Sequence, residues 1–236
     1  MNIYKNIEIK DLALEYKNNL ILADFHIGFE ESLNKQGILI PRTQFKDLIS
    51  RLKKILDKKY DKIIINGDLK HEFGTISKTE WKQTLELIDF LSNYCNKIIL
   101  IKGNHDNILG PIAQKRNLEI LDSYQIDDIL ITHGNNLPED LFSANAFPKR
   151  VIIIGHEHPA ISFKEKSYQK FKCFLKGKYK SSILIVQPSF NLLIEGTDIK
   201  KESLLSPFLQ QDLSNFEVFI VEDKIYKFKK LKEIKS

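Results

Sequence analysis

Cysteine is nearly absent: Cys95 and Cys173 are the only two in 236 residues. They form no CxxC, so neither a disulfide framework nor a zinc knuckle is indicated. The lack of paired cysteines agrees with a reducing compartment. Long apolar runs are missing as well. None approaches the roughly 20 residues of a membrane span, so no membrane partner is expected. The first residues, MNIYKNIEIKD, alternate charged and apolar positions and contain no apolar h-region. This predicts the absence of a signal peptide, and with it a cytoplasmic location. No excess of one charge dominates, with 36 Lys and Arg against 31 Asp and Glu, a net charge of +5. A mildly basic chain is compatible with a phosphate-bearing substrate, but lysine-rich solvated faces produce the same balance. What is present, 42% hydrophobic and 28% charged residues, is the composition of a soluble globular protein. The length predicts one domain, residues 1–236, with a substantial core.

Glycine is scarce, ten in all, and four of the ten stand beside one kind of residue. Gly67, Gly103 and Gly155 precede Asp68, Asn104 and His156, and Gly134 follows His133. Each pair lies just past a short apolar stretch, where glycine permits a sharp turn out of a strand. The runs are ADFHIG (23–28), NGDLKH (66–71), KGNHD (102–106), THG (132–134) and GHEH (155–158). Together they offer Asp24, His26, Asp68, Asn104, His133, His156 and His158. This oxygen and imidazole set lacks thiolate and suits a borderline divalent ion such as Mn, Fe, Co, Ni or Zn rather than Ca or Mg. Seven ligands exceed one tetrahedral site and fit two ions that share a carboxylate. His156 and His158, two apart, would share one face of a regular strand, so they could reach different ions only through a turn beyond VIIIG.

The five runs, in this order, resemble the calcineurin-like metallophosphoesterases, whose pattern is D-x-H, G-D-x-x, G-N-H-[DE], H and G-H-x-H. The resemblance covers Ala23 to His158 and continues through QPSFN at 187–191. Within the family, ADFHIGFEESLNKQGILIPRTQ followed by GDLKH is similar to small archaeal phosphoesterases and DNA-ligase-associated phosphodiesterases. It implies a four-layer αββα sandwich, with two facing mixed sheets and a dinuclear metal site at the strand C-terminal ends.

The resemblance also implies roles. Asp68 takes the bridging position. Asp24, His26 and His158 complete one metal site, and Asn104, His133 and His156 the other. His105 contacts the scissile phosphate and protonates the leaving oxygen after in-line attack by a metal-bridging hydroxide. Asp106, beside it, either holds the His105 imidazole as its cation or caps the next helix. Asn104 and His105 are thus also substrate-binding candidates. His71 is a third, or else it supports a ligand or is a plain loop residue. Protein Ser/Thr phosphatases of the superfamily read G-D-x-V-D-R-G. Here Gly67-Asp68-Leu69-Lys70-His71 lacks the arginine, which disfavours a protein phosphatase.

The rest of the chain fits a layered α/β core. Strands are predicted at 3–9, 12–16, 19–24, 62–66, 97–102, 129–133 and 151–156. Pro41 suggests the start of a helix to about Lys58, and Ser77 to Glu80 has the spacing of a capping box opening a helix to about Asn93. Gly110-Pro111 opens a short helix. Beyond Pro159 helices give way to strands at 160–164, 168–175 and 182–187, and to a hairpin over 216–228. Lysines recur from 164 to 180. The choice there lies between a charged edge strand and a surface that tracks phosphates. The expected activity is hydrolysis of phosphate esters, diesters before monoesters, from a nucleotide or a single-stranded nucleic acid, with manganese the leading ion. The alternatives are a phosphomonoesterase and a non-catalytic scaffold of the same fold.

Overall fold

The computed structural model describes residues 1–74, 76–138, 151–163 and 166–234. The chain begins with an antiparallel meander, β1 (Asn2–Tyr4), β2 (Ile7–Lys10), β3 (Ala13–Tyr16) and β4 (Asn19–Leu22). The stretch expected to be one strand over 3–9 is two, because Lys5 adopts a left-handed turn with φ 44°. Three parallel strands extend the sheet: β5 (Tyr60–Asn66), β6 (Cys95–Ile101) and β7 (Glu119–Leu121), giving the order β1-β2-β3-β4-β5-β6-β7. Helices α1 (Phe29–Lys35), α2 (Gln44–Ile55), α3 (Lys78–Ser92) and α4 (Gly110–Arg116) lie in the crossovers. The α2 helix starts at Gln44 rather than at Pro41, with a turn in between. Its buried stripe of Leu48, Leu52 and Ile55 joins Leu87, Ile88 and Leu91 of α3 against the sheet.

The second sheet runs β14-β11-β12-β13-β10-β9-β8. Its strands are β8 (Ser123–Ile126), β9 (Ile129–Thr132), β10 (Val151–Ile154), β11 (Pro159–Phe163), β12 (Lys166–Tyr179), β13 (Ser182–Val186) and β14 (Thr197–Asp198), with β15 (Glu217–Val221) and β16 (Ile225–Lys230) joining through β12. The β9, β10 and β13 strands are parallel, and all of Val151 to Ile154 is buried, as expected of strands covered on both faces. Phe174, Ile185, Phe219 and Val221 of this sheet belong to the core that includes Leu20, Ile64 and Leu100 of the first. A second cluster, with Cys173, Leu175, Phe208, Phe216 and Val218, fills its opposite face. There, among the described residues, 3-10 turns and loop form the cover. This is the mixed α/β sandwich with two mixed sheets that the resemblance implies.

The lysine-rich strand is not an edge. Lys164 lies outside the described residues, but β12 pairs β11 along one part and both β13 and β15 at Leu175 and Lys176. An interior strand tolerates these lysines because their tips find acceptors. The Nζ atom of Lys170 donates to the Gly196 carbonyl, that of Lys172 to those of Ser189 and Asn191, and that of Lys176 to that of Ile3. Among the described residues, no helix is long and apolar enough to cross a membrane.

Candidate metal centre

The C-terminal ends of β4, β5, β6, β9 and β10 meet at one place. Asp24, Asp68 and His133 emerge there within two residues of their strands, all at least 98% buried. Two of the emerging segments continue side by side. Asp24 N–H donates to the Gly67 carbonyl at 3.2 Å, His26 to Asp68 at 2.9 Å and Ile27 to Leu69 at 3.0 Å. The two acid-bearing loops are therefore an irregular extension of the β4-β5 pair.

Ligating atoms gather in two groups, Asp24 with His26 and His158, and Asp68 with His133 and His156. Asn104 Oδ1 stands 3.1 Å from His133 Nε2 and joins the second. The Asp68 Oδ2 atom lies between the groups, 3.3 Å from His133 Nε2 and 3.7 Å from His26 Nε2. Its Oδ1 atom accepts from the His105 N–H at 2.9 Å. Asp24 uses Oδ2 to accept from the His156 N–H at 3.1 Å. Its Oδ1 is buried without a donor, 3.5 Å from His158 Nε2 and 3.6 Å from His133 Nδ1. The His26 and His158 Nε2 atoms face each other at 3.3 Å. A donorless buried carboxylate oxygen and two opposed imidazole nitrogens are costly among protein atoms alone. They fit divalent cations, which take imidazole and carboxylate together.

Charge tells the same story. Burial alone would lower the His133 pKa, but the Asp68 and Asp24 carboxylates outweigh it and raise it to about 9. Asp68 is held well below the usual carboxylate range because His133, His26 and the His105 N–H outweigh its burial. Burial, then repulsion from His133, pushes His156 down to about 4. Burial, then His158, lowers His26. The acids thus set up a negative field that draws a cation, while the lowered His26 and His156 rings stay neutral and free to ligate.

The backbone is bent to deliver these groups. Asp24, His26, Asp68, His156 and His158 all have positive φ, between 45° and 65°. Left-handed conformations at His156 and His158 are the turn that sends the two imidazoles to different groups. The glycines have a second reason beyond turning. Gly103 and Gly155 do not have positive φ. A Cβ at Gly103 would collide with the Asp68 carboxylate, one at Gly155 would lie 2.6 Å from Asp24 Oδ2, and one at Gly67 would enter the His133 ring. In each case glycine leaves room for a ligand from another strand.

His105 sits at the mouth, its Nε2 3.9 Å from Asp68 Oδ2. Its Nδ1 faces the His71 carbonyl. Asp106 is not its partner. That carboxylate turns inward and accepts from the N–H groups of Gly103 at 3.0 Å and of Leu69 and Lys70 at 3.4 Å. The expectation that it holds the imidazole is thus corrected: three backbone N–H donors claim the carboxylate. Burial and the Asp68 charge raise its pKa to about 6. The His71 ring is 5.5 Å from His26 and 5.3 Å from His105, and its Nδ1 is buried without a partner. Burial, then the His105 charge, lowers its pKa.

Four supporting residues were given no role from the sequence, although Ser189 and Asn191 lie in the QPSFN run to which the resemblance extends. Glu157, between the two histidines, is 1% exposed and accepts from the Leu205 and Ser206 N–H groups at 2.9 and 2.8 Å. Lys70 is fully buried, and its Nζ donates to the Glu72 and His105 carbonyls. Ser189 Oγ donates to the Asp24 carbonyl at 2.7 Å. Asn191 Nδ2 donates to those of Phe25 and His26 at 2.8 and 3.3 Å. A polar run directly after the apolar β13 was the available signal for the last two.

Residues 19–179 match the family model described as calcineurin-like phosphoesterase. No curated protein sequence matches the chain. Among solved structures, the nuclease MPE of Pseudomonas putida is similar, with 17% identity, a TM-score of 0.66 and 93% of each chain covered. The phosphoesterase YfcE of E. coli is similar at 14% identity and a TM-score of 0.38, covering 92% of this chain and 94% of that one.

Proposed function

Since the chain belongs to the calcineurin-like phosphoesterase family and is a metal-dependent hydrolase of phosphate esters, we propose that it cleaves phosphodiesters of nucleotides or single-stranded nucleic acid, with manganese as the preferred ion. The observation that carries the nucleotide or nucleic-acid part of the reading is at the mouth of the site. Phe73 is 54% exposed and lies against His105, its ring tilted by 31° with centroids 3.7 Å apart. An exposed aromatic face beside the phosphate position suits a nucleobase, and such stacking contributes about 1–3 kcal/mol per base. A bare monoester gains nothing from it. The nuclease among the fold neighbours is in keeping with this reading.

Two divalent ions at such a centre supply an ionised water at neutral pH and positive charge for the phosphate oxygens. The chain's own part is to fix geometry. Asp68, placed between the groups, would hold the two cations together. Asn104 would contribute a neutral oxygen to the second ion, which would leave that ion more of its charge. The Nδ1–H of His105 is fixed by the His71 carbonyl, which leaves Nε2 facing the phosphate position; in the imidazolium form Nε2 gives its proton to the leaving oxygen and the ring is left neutral with Nδ1 still protonated. Asp106 keeps the Gly103 turn against the Leu69-Lys70 turn. Two buried, free cysteines suit a reducing, cytoplasmic setting.

Turnover of bis-p-nitrophenyl phosphate against p-nitrophenyl phosphate, then of a thymidine dinucleotide and single-stranded DNA, tests the proposal in Mn. Faster hydrolysis of both diesters and of the dinucleotide is expected. Preference for the monoester would overturn it in favour of a phosphomonoesterase. Bound metal without turnover of any of these would favour the scaffold.

A further inference from the structure

Glu80 is fully buried, yet it belongs to neither ligand group. It lies in the first turn of α3, where its N–H donates to the Ser77 Oγ at 3.0 Å. A capping box would return the glutamate to the cap's own N–H. Here it goes elsewhere. Its Oε1 accepts from the N–H groups of His71 at 2.9 Å and Glu72 at 3.0 Å. The His71 N–H is shared with the Ile27 carbonyl at 2.9 Å. Gly28, at φ +97°, packs against the carboxylate so closely that a Cβ would lie 2.8 Å from Cδ. From the other side the buried Lys70 ammonium holds the Glu72 and His105 carbonyls. Two buried groups of opposite charge therefore grip one short stretch, 70–72. The functional output of that stretch is the His71 carbonyl, which faces His105 Nδ1.

We propose that Glu80 is a positioning residue for His105: by fixing the His71-Glu72 peptide it aims the His71 carbonyl at Nδ1, and so sets the tautomer and direction of the imidazole. The inference rests on the reading of His105 as the proton donor only for its catalytic consequence, not for the geometry. Hydrogen bonds to a charged acceptor are shorter and roughly twice as strong as neutral ones, so the two bonds are strong enough to hold one peptide plane. Burying a carboxylate is costly, and a helix cap alone does not need one at zero exposure.

The test uses the full chain loaded with zinc, which is diamagnetic, and compares wild type with Glu80→Ala and Glu80→Asp. The aspartate keeps the charge but is shorter by a methylene and withdraws from the two N–H groups, so it serves if the alanine variant does not fold. Nitrogen-15 spectra of the histidines, with the His105 signals assigned by their loss in His105→Asn, should show Nδ1 carrying its proton in wild type. In the variants they should show a mixture of tautomers, with metal content unchanged. Turnover of a thymidine dinucleotide should fall about 10–100-fold, the size usual for a group that orients an active residue. Turnover of bis-p-nitrophenyl phosphate should fall far less, with KM for both unchanged. An unchanged His105 spectrum in a folded variant overturns the proposal, as does a loss of metal. A shifted spectrum with equal losses on both substrates leaves the positioning intact and overturns the proton-donor reading.

Discussion

The Asp24 and Asp68 loops lie side by side and end at the same centre, yet they are held by different halves of the molecule. The Asp68 loop is secured by groups of the first half, the Asp106 carboxylate on the Leu69 and Lys70 N–H groups and Glu80 on His71 and Glu72. The Asp24 loop is secured across the interface, by Ser189, Phe190 and Asn191 following β13 of the second sheet. Their backbone there is in turn held by the Lys172 ammonium. One ion position is thus tied to how the two sheets dock, while the shared carboxylate is fixed locally. The carboxylates differ in which atoms they face: Asp68 Oδ2 meets the Nε2 atoms of His133 and His26, one from each group, whereas Asp24 Oδ1 meets the Nε2 of His158 but only the Nδ1 of His133, whose Nε2 turns to Asn104 and Asp68.

The largest effect should come from removing the shared carboxylate. Asp68→Asn should abolish binding of at least one ion and reduce turnover on the order of 10³-fold or more, since metal charge contributes several kcal/mol to such transition states. Asp24→Asn should lose less of both. Elemental analysis and kcat for the two variants decide it, and equal losses would remove the distinction.

His105→Asn should leave both ions bound and cost about 10²–10⁴-fold on a dinucleotide, the usual size of general acid catalysis. A p-nitrophenyl ester, whose leaving group needs no proton, should suffer much less. The comparison is kcat on the two substrates at saturating Mn.

Asn191→Ala sharpens the contrast between the loops. Without its bonds to the Phe25 and His26 carbonyls, affinity for one ion should weaken about 10–100-fold while the other stays near wild type. Calorimetric titration of metal-free protein should then show two unequal sites where wild type shows a smaller difference.

The smallest effect is a slope. Burial, then the Arg51 charge, pushes the Lys172 pKa down to about 7 from 10.5. Below pH 7 the lysine is charged in both folded and unfolded chains, and the full cost of burying that charge is present. Between pH 7 and 10.5 the unfolded chain binds more protons, so this group makes stability rise with pH. Lys172→Met should remove that rise. The difference in Tm between wild type and variant, both metal-free, at pH 7 and pH 10 measures it.

Much of this centre is legible in the sequence because ligands are chemically unambiguous. Asp24, His26, Asp68, Asn104, His133, His156 and His158 stand in runs whose spacing and flanking glycines mark strand ends, and the structure brings all seven together. The apolar runs mark the inner strands for the same reason: strands covered on both faces need unbroken hydrophobicity. What was not legible depends on direction. Asp106 adjoins His105 in the chain, but its side chain points to amides 36 or 37 residues earlier. Glu80 reads as a helix cap, and only the fold shows it reaching back to His71. The short β7, β8 and β14 strands carry no periodicity long enough to read, and β12 looks like an edge until its lysines are seen to reach carbonyls.

The positive φ angles at Asp24, His26, Asp68, His156 and His158 bear on how this protein can change over time. A left-handed residue other than glycine costs roughly 1–2 kcal/mol, and Asp tolerates it better than His. Five such residues together rival the 5–15 kcal/mol by which a whole domain is usually stable. Glycine at His26, His156 or His158 would relax the backbone and remove a ligand in one step. Such changes are a ready path to a sturdier, inert protein, and selection for stability alone would drift along it. The fold survives with its ligands only because the apolar interior is large enough to carry that load, so weakening the core and losing the metals should be two ends of a single trade-off.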